Sequence, residues 1–129
     1  MSVPTVDSLS KELLGMQQRI AMALSRVAAH QDWRPTGEAW SFRYIAAHLA
    51  VTEEECFAAR LRRLMEEDNP QFEYYDNTRR NFDDRDLLDS LANWKRQREM
   101  ILNQVSALGV DELKRSGVHA VYGELSVIG

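Results

Sequence analysis

Apolar residues recur along most of this chain at steps of three and four, the spacing of one face of an α-helix. In the first segment, from about Ser8 to His30, the stripe is Leu9, Leu13, Met16, Ile20, Leu24 and Val27. Asp7 or Ser8 is placed to accept the free N–H groups of its first turn. Residues 31–40, "QDWRPTGEAW", interrupt the period with Pro35 and Gly37 and read as a loop. A second helix is predicted from the N-cap Ser41 to about Met65, with Ile45, Leu49 and Cys56 on one side and His48, Thr52 and Ala59 beside them. Asn69 and Pro70 end it.

Residues 70–82 have no clear period but carry Phe72, Tyr74, Tyr75 and Phe82, too many aromatics for a solvated linker, so this loop is expected to pack on the helices. A third helix, capped by Asp83 or Asp84, presents Leu87, Leu91, Trp94, Arg98, Ile101, Val105 and Leu108, a stripe that only Arg98 breaks. Gly109 is the expected stop. Asp111 to Arg115 reads as a short turn, and "GELSVIG", from Gly123, as the opening turn of a further helix. The stripes are wide enough that each helix expects two neighbours. With only a beginning of a fourth helix, an apolar groove stays open, and a second copy of the chain is its simplest cover.

The remaining totals narrow the function classes. A chain of 129 residues makes one domain, here residues 1–129. Its net charge of −4 argues against general nucleic-acid binding, which needs clustered cations. The short basic run Arg60, Arg62, Arg63 is followed at once by Glu66, Glu67 and Asp68 and reads as a solvated helix surface. One cysteine cannot form an internal disulfide, and no apolar run reaches the ~18 residues of a membrane span. A cytoplasmic location is the expectation.

The histidines are His30, His48 and His119, no two of them three or four residues apart, so no helix carries a local metal-binding pair. His48 reads either as a hydrogen-bonded core residue or as a ligand or base. Thr52, one turn on, can hydrogen-bond to it or line the same pocket. Glu55 lies on nearly the same line but roughly 10 Å along an α-helical axis, too far for shared coordination. His119 either orders its loop or faces a site entrance. His30 suits a helix C-terminus, Ser41 is a cap, Cys56 a small buried hydrophobe, and Trp33, Trp40 and Trp94 read as core fillers. No catalytic residue is identifiable from spacing alone, and no glycine-rich phosphate loop is present.

The order of "WRPTGEAWSFRYIAAHL", "LLDSLANWKRQREMILNQVSAL" and "LKRSGVHAVYGELSV" resembles the DinB-like superfamily from about residue 10 onward. The resemblance implies an all-α, up-down-down-up four-helix bundle, often dimeric, with the fourth helix missing or only begun in this chain. It implies a divalent metal, nickel or zinc, held by three histidines. His48 matches the first, and the other two belong to a His-x-x-x-His pair on the fourth helix, which this sequence does not contain. Stoichiometric metal is therefore not expected of this chain alone. The resemblance implies a metal-dependent enzyme, a thiol transferase as in some members or a hydrolase of unknown substrate, which makes a small-molecule thiol a candidate substrate. Thr52, Glu55 and His119 then become pocket candidates. The competing expectation is a non-catalytic helical module that dimerises, with neither nucleic acid nor membrane as partner.

Overall fold

The computed structural model describes residues 6–109, 116–119 and 123–126. Helix α1 spans Val6–Ser25, and a 3₁₀ turn at Ala28–His30 follows it. Helix α2, Phe42–Thr52, runs into a π-helical segment at Glu53–Ala58 and then into α3, Ala59–Glu66. Helix α4 spans Leu87–Ser106. The three long helical rods expected from the periodicity are present and pack together, and the second of them contains the π turn.

Ser41 caps α2 as its sequence position suggests: its side chain accepts a hydrogen bond from the Tyr44 backbone N–H at 3.1 Å. The cap of α4 is Asp86, not Asp83 or Asp84. Its carboxylate accepts from the Asp89 N–H. The earlier aspartates lie in a turn closed by the Arg85 N–H on the Phe82 carbonyl. Gln31 secures the same corner, its side-chain oxygen accepting from the Leu87 N–H at 2.8 Å, one of the donors that a helix start leaves unpaired. After α3, Asn69 takes a left-handed backbone conformation (φ 45°), which asparagine tolerates better than most residues, and the chain reverses.

The end of the chain departs from expectation. Gly123–Ser126 is a β-strand (β3), not the start of a helix. It pairs antiparallel with β2, Ser116–His119, which in turn pairs in parallel with the two-residue β1, Gln71–Phe72. Short glycine-containing runs have weak helix propensity, so backbone pairing decides their form. Gly117 is essential to the contact with β1: a Cβ there would lie 2.5 Å from the Pro70 carbonyl oxygen and 2.6 Å from the Phe72 ring. The expected turn at 111–115 lies outside the described residues, as do residues 127–129.

The core forms where α2 meets α4. Ala46 and Ala50 allow close approach, and Leu24, Leu87, Leu91 and Trp94 fill the space. On the other flank of α2, Ala47 and Val51 pack on Phe82. Trp94 belongs to this core, but Trp33 and Trp40 do not: they are 55% and 43% exposed, because the 31–41 loop carries them on the surface. The α1 stripe is also turned from its expected position. Gln17 is buried and Leu13, Met16 and Ile20 are 44%, 51% and 41% exposed. Polar groups set this rotation. The Gln17 amide donates to the Trp94 carbonyl at 3.0 Å, and Arg98 donates to the Leu13 carbonyl at 3.2 Å.

Arg98, the one charge in the α4 stripe, meets the carboxylate of Glu53, which is 3% exposed. The Trp94 indole N–H donates to the same carboxylate at 3.2 Å. Removing one partner of such a pair strands a buried charge. Arg98→Leu should therefore lower stability by about 3–5 kcal/mol. Glu53→Gln in the same chain removes the stranded charge, keeps an acceptor for the indole, and should recover most of the loss. Denaturant melts of the single and double variants check this, and a double variant no more stable than Arg98→Leu would refute it.

Candidate functional site

His48 sits one turn before the end of α2, half-buried, where residues 74–82 cross the helix. This loop is the aromatic segment that lacks a period, and it does pack on the helices. It is shaped by local hydrogen bonds: the Thr78 N–H on the Asp76 carboxylate at 2.8 Å and the Arg80 N–H on the Asn77 carbonyl at 3.1 Å. The Thr78 hydrogen bonds hold the Asp76 carboxyl below its usual range. The resulting turn drives Asn77 inward until it is 2% exposed.

Every polar atom of the Asn77 side chain is used. Its carbonyl oxygen lies 2.5 Å from His48 Nδ1, and its NH2 donates to Thr52 Oγ1 at 3.1 Å and to the Tyr75 hydroxyl at 3.0 Å. The backbone carbonyl of Asn77 accepts from the Tyr44 hydroxyl at 3.1 Å. The Tyr75 hydroxyl donates in turn to the Glu55 carboxylate at 3.1 Å, and Arg80 closes on both oxygens of Glu55 at 2.6 and 2.7 Å. Thus His48, Thr52 and Glu55 belong to one network, joined through a residue 29 positions from His48. Glu55 is distant along the helix, and the bridge of Tyr75 and Asn77 spans that distance.

The arrangement sets the tautomer of His48. Both amide hydrogens of Asn77 are spent on Thr52 and Tyr75, so its oxygen can only accept, and Nδ1 must carry the proton. Nε2 of the neutral ring then holds a lone pair. Two aromatic rings flank the imidazole, Trp40 at 5.0 Å and Tyr44 at 6.4 Å between centroids. Burial pushes the Tyr44 and Tyr75 hydroxyls up from their usual value, so both stay protonated donors at neutral pH.

The remaining sequence candidates separate from this centre. The backbone of His119 is in β2, opposite Phe72 and Gly123, not in a loop, and its side chain lies outside what is described. Cys56 is buried on the α2–α3 rod, and burial raises its thiol pKa, as suits an unreactive hydrophobe. In the basic run, Arg63 pairs with Glu67, and Arg60 donates to the Glu73 carbonyl. Both lie over the Phe72 ring. Asn77, Tyr75, Tyr44 and Arg80 are absent from the sequence-derived set. For Tyr75, Asn77 and Arg80 the signal is the aromatic content of their loop, and for Tyr44, in α2, it is the place one turn before His48.

The model of the DinB superfamily matches residues 12–129, so the chain belongs to that superfamily. A comparison with curated proteins returns no match. The metal expected of the family can be tested against the donors present. Nε2 of His48, with its other ring nitrogen donating to a fixed carbonyl, has the form of an imidazole ligand supported from behind. Among the described residues, however, no group of three or more His, Cys, Asp or Glu is arranged to hold a metal ion, and Glu55 is taken up by Tyr75 and Arg80. The described residues therefore fit one ligand and not a complete centre.

The amide of Asn77 determines where the His48 proton resides, and this can be measured. Nitrogen-15 spectra should show His48 protonated at Nδ1, and Asn77→Ala should relax the ring toward a mixture of tautomers. The same variant should lose about 1–3 kcal/mol, because buried partners go unpaired. An unchanged tautomer in Asn77→Ala would show that another group holds the ring.

Proposed function

We propose that this DinB-superfamily chain supplies one nitrogen ligand, His48 Nε2, to a divalent-metal centre completed by residues outside those described, with nickel or zinc as the ion. On this reading the domain is of the up-down-down-up four-helix type, and its activity falls in the thiol-transferase or hydrolase class. The observation that carries the reading is the hydrogen bond between His48 Nδ1 and Asn77. A buried ring nitrogen needs a partner in any role, and here the partner holds Nδ1 as the donor and leaves Nε2 as the acceptor, the arrangement that supports a metal-bound imidazole. Thr52, Tyr75 and Glu55 then act by holding Asn77 in place, and Tyr44 and Trp40 wall the imidazole. No reaction step is assigned, since one imidazole alone does not hold a divalent ion.

In a chain that carries the remaining ligands, adding nickel or zinc should shift the His48 ring resonances saturably. His48→Ala should abolish the response, and Asn77→Ala should weaken it roughly 10–100-fold, the usual effect of removing a group that supports a ligand. Binding that survives His48→Ala, or ring signals that ignore the metal, would overturn the assignment.

A second reading is favoured by the α1 surface. Leu13, Met16 and Ile20 form an exposed apolar line, with Leu88 and Met100 of α4 also exposed. An unpartnered apolar surface favours association, so we also propose a homodimer through α1. Light scattering should show a dimer at micromolar concentration that Leu13→Lys with Ile20→Lys converts to monomer. A cooperatively folding wild-type monomer would exclude it.

A further inference from the structure

We propose that the cleft beside Trp40 binds a small oxyanion, the carboxylate or phosphate group of a small molecule. The cleft encloses about 300 Å3, the lower end of the range for small-ligand sites. Trp40 and Tyr44 supply aromatic wall, and four arginines, Arg34, Arg43, Arg79 and Arg80, line it. In a chain of net charge −4, such a gathering of guanidinium groups is a local feature of this surface.

The four arginines divide into two pairs. Arg43 is held by Asp32 at 2.8 and 3.1 Å and donates to the Arg85 carbonyl, and Arg80 is held by Glu55 and lies over the Phe82 ring. Each of these two is neutralised by its own carboxylate and serves as fixed wall. Arg34 and Arg79 act electrostatically on the carboxylates of Asp32 and Asp76, but neither side chain forms a hydrogen bond or ion pair with a described residue, so their planar donor forks remain open for a ligand. Guanidinium forks match carboxylate and phosphate oxygens in pairs, and an adjacent aromatic face suits the attached carbon skeleton. Two carboxylates also line the cleft. Asp83 acts on Arg43, and Glu38, with Asp32 and Asp76 near the two open arginines, opposes an incoming anion. The cleft shares Trp40 and Tyr44 with the surroundings of His48, yet the inference stands without any metal there.

The test is a metal-free titration followed by NMR, with sodium succinate and inorganic phosphate as separate probes and sodium chloride at matched ionic strength as control. Saturable shifts centred on the Trp40 indole and the Arg79 guanidinium are expected with at least one probe. Arg34→Ala with Arg79→Ala should weaken binding roughly tenfold or more, the effect of losing a charge-assisted hydrogen bond. Glu38→Gln should tighten it. The proposal fails if chloride produces the same shifts, if neither probe saturates, or if the double arginine variant binds as the wild type does. Because no metal is present, failure here leaves the His48 assignment untouched, and loss of the metal response leaves this result untouched.

Discussion

One buried amide organises the candidate site. Asn77 has a single side-chain acceptor and two donors, and the fold gives each a different partner: His48, Thr52 and Tyr75. A carbonyl oxygen cannot donate, so the protonation of the imidazole follows from the placement of the amide. The placement follows from the turn at 76–80 and from the Tyr44 hydroxyl, which holds the Asn77 backbone from below. The buried amide is stable there because none of its polar atoms is left unpaired, the condition for keeping such a group out of water.

The helix beneath it has two tasks that a regular α-helix would serve less well. Glu53 reaches into the core to meet Arg98 and Trp94, while Glu55, two residues on, reaches outward to Tyr75 and Arg80. The π-helical turn begins at Glu53 itself. Wider turns use more residues per revolution, so they shift the register of everything after Thr52, and such turns are found often at functional sites. The core pair and the surface network are therefore neighbours on one distorted turn. Glu53 anchors the rod to α4, and Glu55 anchors the crossing loop to the rod.

What could be read from the chain alone follows the reach of each signal. Helical period is local, so the three rods, the Ser41 cap and the burial of Trp94 were all legible. Arg98 stood out as a break in a stripe, but its partner Glu53 lies 45 residues away and no spacing rule connects them. The same limit hid Asn77, whose tie to His48 is set by tertiary packing of an aperiodic loop. The strands were missed because they are two to four residues long and form through pairing between distant segments, where propensity counts for little. The size of Trp33 and Trp40 suggests burial, but the loop that carries them keeps both at the surface. Trp40 instead stands beside His48 as part of its wall.

The rotation of α1 shows how polar groups can override an apolar stripe. The stripe of Leu13, Met16 and Ile20 would have faced α4 on hydrophobicity alone, yet Gln17 occupies that position and binds the Trp94 carbonyl. Rotating the helix to bury the stripe would separate Gln17 from Trp94 and Arg98 from the Leu13 carbonyl, leaving polar groups of the core without partners. The hydrogen bonds thus fix α1 with one face satisfied inside and an apolar face outside. That outer face is a property of how the helix is anchored and not of loose packing, so any surface that covers it gains apolar burial without disturbing the core or the Asn77 network on the far flank of α2.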